Sequence, residues 1–196
     1  MIELPRTTTS PLDPEVTVSD ETLVGRLRSG ETAAGDELVR RHCPAMLRYL
    51  QRLTGNAGLA EELHQQTWLS VLDHLDRFDD ASGPGSFKAW MYRIATNKVN
   101  DLWRSRGRQK KATDGLRLVT DQTFPDASTG PQAAEAQKNL HRAIAELPES
   151  QRQVVCMRYY SNMKFVEIAA AMGCPLNTAL GRMHKALLKL RKLLDE

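Results

Sequence analysis

Between Phe165 and Lys185 the chain carries a pattern that few folds satisfy. Phe165-Val166-Glu167-Ile168-Ala169-Ala170-Ala171-Met172 runs into Gly173-Cys174-Pro175-Leu176, then into Asn177-Thr178-Ala179-Leu180-Gly181-Arg182-Met183-His184-Lys185. Ile168, Ala169 and Met172 share one apolar stripe at helical spacing. Ala169 is small, as the crossing of two close helices requires. Gly173 can take the positive φ that ends a helix. Pro175 cannot continue that helix, and Asn177 is a good N-cap for the next. Ala179, Met183, Ala186 and Leu190 then give the second helix a buried face, leaving Arg182, Lys185, Lys189 and Lys192 on or beside the other. The pattern predicts a helix-turn-helix, a DNA-holding motif. The same residues also describe a plain helical hairpin with a solvated basic face.

The rest of the chain narrows the function by exclusion. No run of about 18 apolar residues is present, so no membrane span is expected. Residues 1–19 are polar and proline-bearing, without the basic start and apolar core of a signal peptide, which points to the cytoplasm. Cys43, Cys156 and Cys174 are scattered, with no CxxC pair, and the five histidines are isolated, so neither a disulfide framework nor a metal site is expected. No HExxH, nucleophile elbow or phosphate-binding glycine loop occurs; Gly83-Pro84-Gly85 is turn chemistry. Neither catalysis nor a cofactor is expected. Charge is unevenly spread. Residues 1–101 hold 11 Lys+Arg against 15 Asp+Glu, and the remainder 16 against 9, within a total of +3. That asymmetry suggests an acidic surface for a protein partner and a basic one for nucleic acid.

Helical periodicity recurs along nearly the whole length, with no strand pattern and no repeat. Residues 1–19 read as disordered. Asp20 can cap a helix through Leu23, Val24 and Leu27 that stops near Gly30. A second helix starts near Glu31, and Pro44 should kink or split it. After the turn Gly55-Asn56-Ala57-Gly58, a third helix from Leu59 to Arg77 should bury Leu63, Trp68, Leu69, Leu72 and Leu75, with Glu61, Glu62, Gln65 and Gln66 as a polar flank. A loop rich in Asp, Ser, Gly and Pro follows, then a helix from Phe87 to about Gly107 that buries Trp90, Ile94 and Leu102. The run Arg104-Ser105-Arg106-Gly107-Arg108-Gln109-Lys110-Lys111 closes this unit. Residues 112–132 read as a linker and 133–196 as a second helical unit. The expected architecture is all-α: two small helical domains, 20–111 and 133–196, on a flexible tether.

In this order the chain resembles bacterial sigma factors of the extracytoplasmic-function group. The likeness rests on Leu23 to Gly30, on Leu75-Asp76-Arg77-Phe78, on Gly85 to Asp101, on Leu147 to Val155 and on the helix-turn-helix. It implies a subunit that binds RNA polymerase core, through the clamp helices and the flap, and directs it to promoter DNA. The first domain would dock by the helix from Leu59, whose flank Glu61, Glu62, Gln65 and Gln66 would face basic residues of the polymerase; Glu61 and Glu62 also suit a solvated first turn. The loop Asp79 to Ser86 and the helix after it would capture an unstacked base of the −10 element. An Asn amide offers donor and acceptor side by side, and Asn97 matches the family's base-reading position, with Asn100 one turn on. Lys98, Arg93 and Arg104 would neutralise phosphates of the melted strand. Ser86 and Trp103 complete the candidate set, Trp103 as a stacking platform and Trp90 more as core. In the second domain Asn177, Thr178, Leu180, Gly181, Arg182 and Lys185 would meet the duplex −35 element. The family also implies an anti-sigma factor, and no obligate homo-oligomer.

The chain departs from the family where the core-binding helix usually opens Asp-Ala-Glu-Asp: here it is Leu59-Ala60-Glu61-Glu62, and Gln66 stands in place of a further acid. Phosphorylation of Thr67 would supply the missing negative charge. In the recognition helix, Leu180 and Gly181 replace residues that are often basic or hydroxylic. Alternative readings are a stand-alone helix-turn-helix regulator, which leaves the first domain without a purpose, and a divergent sigma-like protein that needs phosphorylation or an activator.

Overall fold

The computed structural model describes residues 18–79, 86–112 and 131–195. Eight α-helices lie in these stretches: α1 (Asp20–Arg28), α2 (Thr32–Thr54), α3 (Ala57–Asp73), α4 (Phe87–Ala112), α5 (Pro131–Ala145), α6 (Glu149–Tyr160), α7 (Phe165–Ala171) and α8 (Leu176–Leu194). No strand occurs among the described residues. The expectations for the tail, for most of the loop after Phe78 and for the linker lie outside them.

An electrostatic staple holds α1 to α2. Ser19, not Asp20, caps α1, its hydroxyl accepting from the Thr22 amide at 3.2 Å. Asp20 is thereby freed to reach α2, where its carboxylate meets His42 Nε2 at 2.7 Å and Arg41 Nη1 at 3.1 Å. Glu37 holds the same Arg41 at 2.6 Å. The long α2 runs unbroken through Pro44. Pro44 and Arg40, whose carbonyl loses its intrahelical donor, are both exposed, so water can meet the need that would otherwise break the helix.

Around α2 the first domain closes. Leu38, Met46, Tyr49, Leu50 and Leu53 are buried against Ala60, Leu63 and Val71 of α3 and against Phe87, Met91, Tyr92, Ala95 and Val99 of α4. A polar thread crosses this core. Thr96 Oγ1 spends its hydrogen on the Tyr92 carbonyl at 2.7 Å, so the 2.9 Å contact with Tyr49 must be donated by the tyrosine. Burial pushes the Tyr49 hydroxyl well above its ordinary pKa, more than the Thr96 bond lowers it. The third helix is shorter than the sequence suggests. It ends at Asp73, and a 3-10 turn, Leu75–Arg77, takes the chain to Phe78. Leu69 and Leu72, expected in the core, are 55% and 52% exposed.

The second domain contains the expected motif. α7 and α8 flank a turn at Gly173, whose φ of +58° is the left-handed value that favours glycine. Ala179, Met183, Ala186 and Leu190 are the buried residues of α8, as the periodicity requires. Asn177 does not cap that helix. α8 starts at Leu176 behind Pro175, and Asn177 lies exposed in its first turn. Pro148 likewise precedes α6.

The domains are packed together, which the tether reading did not anticipate. α6 touches α8 on one side and α2 on the other, and α7 lies against α4. Five consecutive residues of α6, Gln153 to Met157, are buried. A helix buried all round has to be enclosed by two layers, and the second layer here is the first domain. Burial in this seam, near Tyr49 and Arg52, pushes the Cys156 thiol up to about 12.

The Asp20 staple generates a pH test. Burial raises its pKa, but the His42 hydrogen bond and charge and those of Arg41 outweigh that and set it below the ordinary 3.8. A carboxylate with a depressed folded-state pKa stabilises above the unfolded pKa and loses that contribution as pH falls through the folded value. The urea midpoint should therefore decline as pH drops from about 5 to below 3.8. Asp20→Asn should lower the midpoint at neutral pH and flatten that part of the decline.

Candidate nucleic-acid and partner interfaces

α4 presents its polar residues in two strips. Arg93, Asn97 and Arg104 fall on one exposed line, with Lys98 half-buried beside it. Arg104 pairs with Asp101 at 3.0 Å, but both side chains are mostly exposed, so the pair contributes little and yields easily to a phosphate. The other candidates lie along the adjoining edge, against the second domain. Ser86 Oγ donates to Glu167 of α7 at 2.9 Å while accepting from the Ala89 amide. Asn100 Oδ1 accepts from Gln153 Nε2 of α6 at 2.6 Å. Trp103 is half-buried, with the Arg152 guanidinium 5.7 Å from its ring centre. Trp90 packs on Phe78 and Phe87, at centroid distances of 5.4 and 6.0 Å, a place in the core rather than a platform. Arg28 steadies this aromatic group by donating to the Leu75 and Phe78 carbonyls.

The polar flank of α3 is exposed as expected. Glu61, Glu62, Gln65 and Gln66 all face solvent, and Gln66 Nε2 donates to Glu62 at 3.0 Å. Leu69 continues that face one turn on, with Leu72 beside it, so the patch is part acidic and part apolar. The spacing Glu62, Gln66, Leu69 gave the signal, but leucines at helical intervals were assigned to the core. Next to Leu72 a cleft of about 220 Å³ opens, lined by Leu27, Val39, Trp68, Val71 and Leu75 among others.

Thr67 does not belong to this surface. It is fully buried, and its hydroxyl donates to the Leu63 carbonyl at 2.6 Å. A kinase has no access to it, so phosphorylation there does not replace the missing acids.

On α8 the residues Asn177, Thr178, Leu180, Gly181 and Lys185 are exposed. Arg182 is turned back, half-buried, with Nη1 3.6 Å from the Cys174 sulfur and 4.0 Å from the Met172 sulfur. His184 is exposed seven residues after Asn177 and three after Gly181, centred on the outward face. Sequence reasoning passed over it because an isolated histidine carries no motif. A Cβ added at Gly181 would meet nothing within 4 Å, so the backbone there is open to approach. Lys189 serves the fold, donating to the Glu146 carbonyl at 2.8 Å, whereas Lys192 is exposed. Among the described residues no group of three or more His, Cys, Asp or Glu is placed to hold a metal, and no helix is long and apolar enough to cross a membrane.

Comparison with known proteins gives consistent matches. Residues 38–109 match the family model of Sigma-70 region 2, and residues 137–190 that of Sigma-70, region 4. The RNA polymerase sigma factor CarQ of Myxococcus xanthus is 32% identical over 174 residues, covering 87% of this chain and 95% of that protein. SigL, an ECF RNA polymerase sigma factor of Mycobacterium tuberculosis, is 31% identical over 173 residues, covering 86% and 95%. SigE of Mycolicibacterium smegmatis is 32% identical over 162 residues, 81% of this chain but 61% of that longer protein. Among solved structures, CnrH in complex with the cytosolic domain of CnrY aligns with a TM-score of 0.67 at 25% identity, covering 90% of this chain and 97% of that one. The sigma factor RpoE of Bartonella quintana, in complex with the anti-sigma factor NepR, shares the fold with a TM-score of 0.70 at 24% identity, covering 84% and 98%.

The burial of Thr67 has a measurable consequence. Thr67→Glu places an unpaired carboxylate in the core and should cost about 3 kcal/mol or more of folding stability. Urea unfolding checks this. An unchanged midpoint would mean that the side chain reaches solvent.

Proposed function

This chain belongs to the extracytoplasmic-function sigma factors of bacterial RNA polymerase, and on that premise we propose which of its side chains carry promoter recognition. A sigma factor is not an enzyme. It directs the polymerase core to promoters and helps open them, acting through binding alone.

The core polymerase docks on α3. Glu61, Glu62, Gln65 and Gln66 meet basic residues of the clamp helices, and charge complementarity sets register and on-rate. With two family acids absent, Leu69 and Leu72 supply apolar contact in compensation. Fully covering one such side chain is worth about 1.5–3 kcal/mol, comparable to a charge-assisted hydrogen bond lost with an acid.

The −10 element is read by α4. Removing a base from the stack costs about a few kcal/mol, so the protein has to hold it. The Asn97 amide presents donor and acceptor to a Watson–Crick edge, while Arg93, Lys98 and Arg104 neutralise the strand's phosphates. Ser86, Asn100 and Trp103 extend the site along the next edge. The single observation that carries this reading is the exposed line Arg93, Asn97, Arg104 on one helix. In the second domain the start of α8 approaches the −35 duplex through Asn177 and Thr178, with Leu180, Gly181 and Lys185 facing the groove and Arg182 swinging out from its sulfur contacts. The flap of the polymerase holds this domain. An anti-sigma factor is the expected regulator, supported by the partners of the solved relatives. The site of action is the cytoplasm, where polymerase and chromosome are.

Run-off transcription with purified core polymerase, on a promoter library that includes the gene's own upstream region, tests the assignment. Asn97→Ala should lower specific transcript about ten- to a hundredfold, the scale of one lost base contact, without weakening core binding. Leu69→Glu should instead weaken core binding and leave duplex binding by the second domain intact. Duplex binding with no transcript and no core binding would favour a stand-alone regulator.

A further inference from the structure

α8 buries Ala179, Met183, Ala186 and Leu190, and the outward side of its first turns carries Asn177, Leu180, Gly181, His184 and Lys185. Two of these outward residues bring the fold nothing. Leu180 is 41% exposed and takes no part in the core. Gly181 is not required by the backbone: Gly173 has a φ of +58°, but Gly181 sits inside the helix and has no such value. Nor is it required by packing, because a Cβ there would meet nothing within 4 Å among the described residues. Glycine weakens an exposed helix interior relative to alanine, so this one costs stability with no return inside the chain.

Side by side, the two residues meet a single requirement. A leucine side chain is short and has neither donor nor acceptor. It cannot read a base by hydrogen bonds, and it cannot touch one unless its helix sits deep in the groove. At Gly181 the backbone is bare, so a duplex can come closer than any side chain would allow. Arg182, the next cation along, is turned back on the Cys174 and Met172 sulfurs and leaves that approach free.

What a leucine can recognise in a major groove is narrow. The base edges there display donors, acceptors and one methyl group, and only that methyl, on C5 of thymine, is apolar. His184, one turn after Leu180, and Lys185 beside it offer hydrogen bonds and charge to neighbouring edges and phosphates.

We propose that Leu180 is a specificity-determining residue: it selects one thymine of the −35 duplex through the C5-methyl group, and Gly181 gives the backbone the close approach that so short a side chain needs. This rests on the assignment of α8 as the duplex reader. It narrows that assignment to one base and one chemical group.

The test uses the full chain, alone and bound to purified core polymerase, to select from a library of randomised duplex DNA. Each thymine of the selected sequence is then replaced singly by deoxyuridine, which keeps the base pair and removes only the methyl. One thymine should stand out, its methyl worth about fourfold in affinity, the scale of one buried methyl-sized group. Leu180→Ala should make the chain indifferent to that methyl and leave its response at other thymines unchanged. Leu180→Gln should shift the selected base at that position from thymine toward adenine. Gly181→Ala should raise Tm, since alanine is the better helix former and meets no crowding there, yet blunt the methyl response by holding the helix off. A selected sequence in which no methyl matters, or in which it matters equally to Leu180→Ala, would overturn the proposal and leave α8 standing as the duplex reader. Weaker core binding by Leu180→Ala with the methyl response intact would overturn it too, and would assign Leu180 to a protein contact. No sequence selected by the folded chain, alone or with core, would remove the α8 assignment and the thymine reading with it.

Discussion

One helix has to satisfy five neighbours at once. α2 is packed by α1, α3, α4, α5 and α6, and it does so by rationing its surface. Leu38, Met46, Leu50 and Leu53 fill the core, Tyr49 reaches α4 through Thr96, and Arg52 faces the second domain, where it donates to His141 and lies over Tyr160. Arg41 and His42 hold α1. Because these duties fall on different sides of one rigid rod, α4 is positioned relative to α3 and to α6 by the same element. α3 and α4 are therefore fixed on one frame.

Much of this was legible from residue spacing. The four residues buried on α8 and the glycine at its preceding turn follow from period and backbone freedom alone, whereas α5 starts at Pro131, inside the stretch read as linker, because a missing amide hydrogen does no harm in a first helical turn. The exposed line on α4 needed the family resemblance to give Asn97 a role, but its placement with Arg93 and Arg104 is simple helical geometry.

What escaped was tertiary. Leu69 and Leu72 have the spacing of core residues, and only the packing of α3 shows that Leu63, Thr67 and Val71 already fill the inner face. Thr67 looks like a surface hydroxyl among glutamines, yet it lies one turn after Leu63 and bonds to its carbonyl. Pro44 should have broken α2, and solvent on that side spared it. The cap of α8 moved from Asn177 to Pro175 because proline's fixed backbone already sets the helix entry. The docking of the two domains left no local mark, since a stretch such as Gln153 to Met157 reads as the core of its own domain until its second covering is seen.

That doubly covered stretch has a thermal consequence. Parting the domains wets Cys156 and its apolar surroundings, and hydration of apolar surface raises heat capacity. Separating them would therefore carry a heat-capacity change of its own, distinct from that of unfolding either domain. That change grows with the apolar area of the seam and is reduced by the polar pairs that cross it, such as Asn100 with Gln153.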